Sequence, residues 1–191
     1  MKNNDLPRGI KRVLFSEEDI ARRIKELAEQ INNDYKDAKE PIILVGVLKG
    51  SFMFLSDLVK QIRIPHVVDF IAVSSYGKKK TTKSSGNVRM IMDTREDQDG
   101  RDVLVVEDIL DTGYTLEYID KMFKARGTNS VKNVVLLTKE IKHEADVKLD
   151  YLGFSSPDTW VVGYGLDYRE KFRTLPYIAE LDINLVNADE V

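Results

Sequence analysis

The chain predicts an α/β fold built on a mostly parallel sheet flanked by helices, and three observations carry that prediction. Ile42-Ile43-Leu44-Val45-Gly46-Val47 is a short continuous apolar run, and Val103-Leu104-Val105-Val106 is another. Such runs read as strands buried on both faces, the habit of parallel sheets. Helical patterns alternate with these and the other strand candidates, the mark of repeated βα units.

Each element follows in order. Ser16 opens the first helix with Asp19 as its capping pair, and Ile20, Ile24, Leu27 and Ile31 then recur on one face. Pro41 precedes the first buried strand, and Phe52 to Val59 reads as a helix packed on it. His66 to Ser74 is β-branched and apolar, a further strand. Ser75 to Gly86 is polar and glycine-flanked, which predicts a long loop, with Lys78-Lys79-Lys80 as a solvated tip that adds positive potential. Asn87 to Met92 returns as a strand. After Val103–Val106 a helix runs to Arg126, with Lys124 and Arg126 in its last turn and Gly127 as its stop. Val131 to Leu137 and Trp160 to Leu166 supply two more strands. There is no repeat, low-complexity tract or linker, so residues 1–191 are expected to form a single domain.

Composition removes several function classes. A chain of 191 residues with 42% hydrophobic and 32% charged residues suits a soluble globular domain. A net charge of -3 provides no general attraction to nucleic acid or an anionic membrane. Cysteine is absent, which excludes disulfides and thiolate chemistry and fits a cytoplasmic location. The N-terminus MKNNDLPRGIKRVLF lacks a signal-peptide core, and no apolar run approaches the roughly 20 residues that span a bilayer. His66 and His143 lie far apart, so zinc held by His and Cys is not expected. No G-x-S-x-G elbow is present for a serine nucleophile.

One strand end concentrates chemistry: Val105-Val106-Glu107-Asp108-Ile109-Leu110-Asp111-Thr112-Gly113-Tyr114-Thr115. The strand runs into two acids, then a third, then a small hydroxyl- and glycine-rich turn that opens a helix. Backbone N–H groups and hydroxyls at a helix N-terminus make a phosphate site, with Gly113 allowing close approach. The adjacent carboxylates would repel that phosphate unless they face ribose hydroxyls or a hydrated magnesium ion. The combination asks for a sugar phosphate. Ligands of parallel sheets bind at the carboxyl ends of strands, where this motif sits.

This string resembles the phosphoribosyl pyrophosphate motif of the type I phosphoribosyltransferase family, and more narrowly its hypoxanthine-guanine branch. The resemblance runs from about Val13 to Leu181. It implies that a small hood, formed by N- and C-terminal segments, covers the strand ends. It implies that Glu107 and Asp108 hold the ribose hydroxyls that also contact Mg2+. The turn Asp111, Thr112, Gly113, Tyr114 and Thr115 would wrap the 5′-phosphate, the Tyr114 side chain being given no role. Asp111 would be the general base near N7 of the purine, and an acid there favours 6-oxopurines, xanthine among them.

The other anchors follow from the same resemblance. Leu48-Lys49-Gly50-Ser51 matches the pyrophosphate loop, with unusual peptide geometry at Leu48-Lys49 and with Lys49 and Gly50 facing pyrophosphate beside Arg173. Lys139 matches the lysine that meets the purine 6-oxo group. Trp160 takes the place of the aromatic that stacks on the base, a contact worth roughly 1–3 kcal/mol, and Val161 lends backbone groups to the base edge. Asp167 matches an acid at the purine side associated with a second magnesium. Ser75 and Tyr76 begin a lid that keeps out water. The implied activity is transfer of a 5-phosphoribosyl group from phosphoribosyl pyrophosphate to hypoxanthine or guanine, in a homodimer or homotetramer with no nucleic-acid partner. The rivals are an RNA regulator of the same fold, a xanthine enzyme and a generic nucleotide-binding module. Asp111, Lys139, Trp160 and Asp167 occurring together argue against the regulator.

Overall fold

The computed structural model describes residues 6–75, 88–141 and 143–187. Its centre is a sheet of six strands in the order β4-β3-β2-β5-β6-β7, made of β2 (Ile42–Leu48), β3 (His66–Ser75), β4 (Val88–Met92), β5 (Asp102–Leu110), β6 (Ser130–Lys139) and β7 (Tyr151–Ser156). Only β4 runs antiparallel to its neighbour. The two continuous apolar runs become the central strands β2 and β5, where Ile42 to Val45 and Val103 to Val106 are wholly buried.

The alternating faces of these strands recruit different helices. Leu44, Leu104 and Val106 pack with Ile20, Ile24 and Leu27 of α1 (Glu17–Asp34) and with Phe54, Leu55 and Leu58 of α2 (Phe52–Val59). Val45, Val103 and Val105 pack on the other side with Leu116, Ile119 and Phe123 of α3 (Tyr114–Ala125). The helix that follows β2 and the helix that follows β5 thus lie on opposite faces, although β2 and β5 are neighbours. That is a topological switch point, where a crevice opens at the carboxyl ends of the strands.

Alternation along β5 slips just before this crevice. Ile109 joins the α1–α2 side and Leu110 the α3 side, the reverse of strict period-two order. The slip falls beside the acids, and the predicted strand extends four residues further than its apolar run, through Glu107 and Asp108 to Leu110.

A second, antiparallel sheet has the order β1-β9-β8, from β1 (Ile10–Phe15), β9 (Ile178–Leu181) and β8 (Val161–Val162). It is built from the two ends of the described chain. Val161, Tyr164, Leu166 and Ile178 join the α1–α2 core, and Phe15 stacks on Phe154 of β7 at 4.2 Å. The strand predicted over Trp160 to Leu166 is therefore shorter than expected. Gly163, Tyr164 and Gly165 take φ values of 97°, 50° and 98°, which turns the chain away from a sheet. A short helix α4 (Ile183–Asn187) follows.

The capping pair of α1 forms in full: the Asp19 amide donates to Ser16 Oγ at 3.1 Å, and the Ser16 amide donates to the Asp19 carboxylate at 3.2 Å. Replacing Ser16 by Ala is expected to cost roughly 1 kcal/mol. In a chain of this size that lowers Tm by about 2–4 °C, which a thermal melt measures, while catalytic rates stay at wild-type values.

Candidate active site

Two loops meet at the switch point. The first, after β2, carries a cis peptide between Leu48 and Lys49 and then Gly50. A Cβ on Gly50 would overlap the Asp108 carboxylate, and one on Gly165 would overlap the Gly50 carbonyl. The strand end, the loop and the 163–165 turn therefore close on one another with no room for a side chain at either glycine.

The second loop, Asp111 to Gly113, leads into α3. Gly113 is the N-cap residue with φ 92°, and no side chain caps the helix. This is the opposite of α1, whose end is satisfied by its own residues. The first-turn N–H groups of α3 have no intrahelical acceptors, so the helix opens toward the crevice as an anion site. A cavity of about 220 Å³ is lined by Glu107 to Gly113 with Thr115 and Leu116. A hollow of about 470 Å³ lies elsewhere, between Arg12 and Tyr177. It lacks an open helix end and convergent catalytic groups.

At the end of β5, Glu107 is electrostatically unsatisfied. Glu107 is buried and its Oε2 has no hydrogen-bond partner among the described residues. Burial, reinforced by the Asp108 charge, pushes the Glu107 carboxyl well above the usual carboxylate range. Burial also raises Asp108. Two adjacent carboxylates in this state call for hydroxyl donors or a cation.

Lys139, Asp111, Trp160 and Val161 come together. Lys139 ends β6, with Nζ 3.7 Å from the Asp111 carboxylate and 6.0 Å from the centre of the Trp160 ring. Trp160 is 43% exposed, so its face is available to a base, and Tyr168 meets it edge-on at 5.6 Å. Val161 lies beside it in β8, buried and paired with Glu180.

The cationic residues are held by acids. Arg173 reaches Asp167 at 2.7 Å and Glu170 at 3.1 Å and donates to the Gly165 carbonyl at 2.8 Å; Lys49 meets Glu170 at 3.1 Å. Hydrogen bonds from Lys49 and then Arg173 hold the Glu170 carboxyl below its usual range. Asp167 is thus spent on Arg173. No cluster of three His, Asp or Glu side chains able to cage an ion occurs among the described residues, so Asp167 is not brought into one group with Glu107 and Asp108. Ser75 closes β3, while Tyr76, the rest of the lid and Lys78–Lys80 lie outside the described residues.

Several neighbours of these residues escaped sequence reasoning. Asp158 lies 3.5 Å from Lys139. Glu170 bridges the two cations. His143 and Glu144 lie against the phosphate turn: His143 Nδ1 is 2.6 Å from the Asp111 carbonyl, and Glu144 accepts from the Tyr114 hydroxyl at 2.8 Å. Their signals depend on folded distances, and no local spacing announces them.

Comparison with known proteins adds the family. Residues 14–169 match the phosphoribosyl transferase domain model. The hypoxanthine-guanine phosphoribosyltransferase of Dictyostelium discoideum is 45% identical over 172 residues, covering 88% of this chain and 94% of that protein. Its counterpart from Bacillus subtilis is 46% identical, covering 90% and 93%. A variant hypoxanthine phosphoribosyltransferase from Trypanosoma cruzi, solved with its product IMP, superposes with a TM-score of 0.88 at 40% identity and covers 97% of this chain and 98% of its own.

Proposed function

The chain belongs to the phosphoribosyl transferase family, and on that premise we propose that it is a purine-salvage enzyme. It transfers the 5-phosphoribosyl group from phosphoribosyl pyrophosphate to hypoxanthine or guanine, giving IMP or GMP and releasing pyrophosphate. The observation that carries this reading is the meeting of Asp111, Lys139 and Trp160 beside an uncapped helix end and the acid pair of buried Glu107 and half-buried Asp108.

In this reading the α3 turn, Asp111 to Thr115, takes the 5′-phosphate, and Glu107 and Asp108 take the ribose hydroxyls. Lys49, Gly50 and Arg173 receive pyrophosphate, which displaces Glu170 and Asp167 from the two cations. Trp160 stacks on the base, Val161 meets its edge through the backbone and Lys139 donates to O6. As the bond from C1 of the ribose to pyrophosphate breaks, N9 forms the new bond and Asp111 accepts the proton managed at N7. Ser75 and Tyr76 begin the lid, and the sheet of β1, β9 and β8 serves as the hood.

Mg2+ fits the donors present. They are hard carboxylate oxygens, one of them buried without a partner, and they are few, as suits an ion that keeps waters and substrate oxygens. Glu107 and Asp108 would hold it at the ribose and Asp167 at a second position, and when bound it neutralises the leaving pyrophosphate. Val68 and Phe70 share one face of β3 with Met92, paired to Ala72, and all three are exposed. That uncovered apolar face supports a homodimer or homotetramer. Among the described residues no helix is long and apolar enough to cross a membrane, and we place the enzyme in the cytoplasm.

A purine panel with phosphoribosyl pyrophosphate and Mg2+, read by pyrophosphate release, tests the proposal. Hypoxanthine or guanine is expected to turn over and adenine not. Tight phosphoribosyl pyrophosphate binding with no purine turned over would favour the regulator instead.

A further inference from the structure

The ladder between β5 and β6 ends at the pair Leu110 and Thr138. Asp111, just past the end of β5, and Lys139, the last residue of β6, are the residues that the proposed function sets on the base, and each follows one member of that pair. Ladder hydrogen bonds therefore do not fix their separation. One side chain closes across the gap. His143 Nδ1 lies 2.6 Å from the Asp111 carbonyl oxygen, and its Nε2 lies 3.2 Å from Thr138 Oγ1.

The chemistry assigns the protons. A carbonyl oxygen only accepts, so Nδ1 donates to Asp111, and Nε2 pairs with the Thr138 hydroxyl, which also lies 3.4 Å from the Lys139 carbonyl. The imidazole is a rigid plane joining the backbone of Asp111 to the residue before Lys139. The same segment holds the phosphate turn separately, since the Glu144 and Ala145 amides both donate to the Thr112 carbonyl at 3.0 Å.

We propose that His143 is a positioning residue that sets the distance between Asp111 and Lys139, so that both face the same purine. The proposal rests on the roles given to those two residues above. Because Thr112 is held by the Glu144 and Ala145 amides, loss of the imidazole releases Asp111 and leaves Thr112 to Thr115, the rest of the phosphate turn, in place.

Steady-state kinetics and phosphoribosyl pyrophosphate calorimetry on His143→Ala, His143→Asn and His143→Gln test this. The alanine variant is expected to lose roughly 10–10²-fold in kcat/KM for the purine, the scale of a displacement of about 1 Å at a reacting group, with phosphoribosyl pyrophosphate affinity unchanged. Asparagine places an N–H where Nδ1 stands and recovers most of the rate. Glutamine places its amide at the Nε2 position and does not. Full activity in the alanine variant overturns the proposal, as does equal activity of the asparagine and glutamine variants, or a parallel loss of phosphoribosyl pyrophosphate affinity. The asparagine-to-glutamine ratio decides the matter even where the alanine variant folds poorly. Failure of the underlying reading shows separately, as an Asp111→Asn enzyme that keeps its full purine rate.

Discussion

Replacing Asp111 by Asn is expected to lower kcat/KM for hypoxanthine or guanine by roughly 10²–10⁴-fold, the range for loss of a positioned general acid or base. The amide keeps the side chain's size but cannot take a proton from the base. It also removes the anionic partner 3.7 Å from Lys139. The phosphate turn acts through backbone N–H groups and through Thr112 and Thr115, so phosphoribosyl pyrophosphate affinity is expected to stay near wild type. Parallel calorimetry and kinetics separate the two effects. An asparagine variant with unchanged purine kinetics would remove Asp111 from proton transfer.

Glu107→Gln is expected to divide stability from activity. Glu107 is buried beside Asp108 with an unpartnered oxygen, and its carboxyl titrates well above its ordinary range. A carboxyl raised in the native state binds more protons there than in the unfolded chain. Stability therefore falls as pH climbs from the ordinary carboxylate range toward the raised value, and the repulsion is absent below that range. The glutamine variant lacks this charge, so without substrate or Mg2+ it is expected to melt higher than wild type at neutral pH. The gap should close as pH falls. The same variant loses the proposed ribose ligand, and kcat/KM is expected to drop by about 10²-fold, as for a misplaced reacting group. Equal melting curves at neutral pH, or an unimpaired rate, would contradict this account of the pair.

Much of the scaffold could be read from residues alone because its signals are local. The capping pair of α1, the continuous apolar runs of β2 and β5 and the glycine stop after α3 each depend on neighbours within a few positions. β1 and β9 lack such a signal. Ile10-Lys11-Arg12-Val13-Leu14-Phe15 mixes charge and apolar residues, and it becomes a strand through pairing with Ile178–Leu181 at the far end of the chain. Lys11 and Arg12 are accommodated there by Glu180, at 2.7 Å from each. The overlong strand at Trp160–Leu166 erred for a different reason. Gly163 and Gly165 flank Tyr164, and three successive left-handed residues outweigh the β propensity of the run.

The site divides in the same way. The acid pair and the phosphate turn are contiguous, so their chemistry is visible as a string. Lys139, Trp160 and Arg173 are isolated single residues with no motif around them, and their proposed roles came from the family resemblance. His143 binds a main-chain carbonyl, an acceptor present at every position, so nothing in the sequence marks its partner. Asp158 and Glu170 belong to the charge balance of Lys139, Lys49 and Arg173, and that balance exists only after folding.

The chain has one tryptophan, and it is the proposed purine platform, which makes the central claim directly observable. Titration with IMP or GMP in the presence of Mg2+, followed by Trp160 emission, is predicted to give saturable quenching as the base covers the exposed ring. AMP at the same concentrations should leave the emission unchanged. Calorimetric binding of IMP or GMP with no change at Trp160 would contradict the account, because the base would then lie away from Trp160, Lys139 and Asp111.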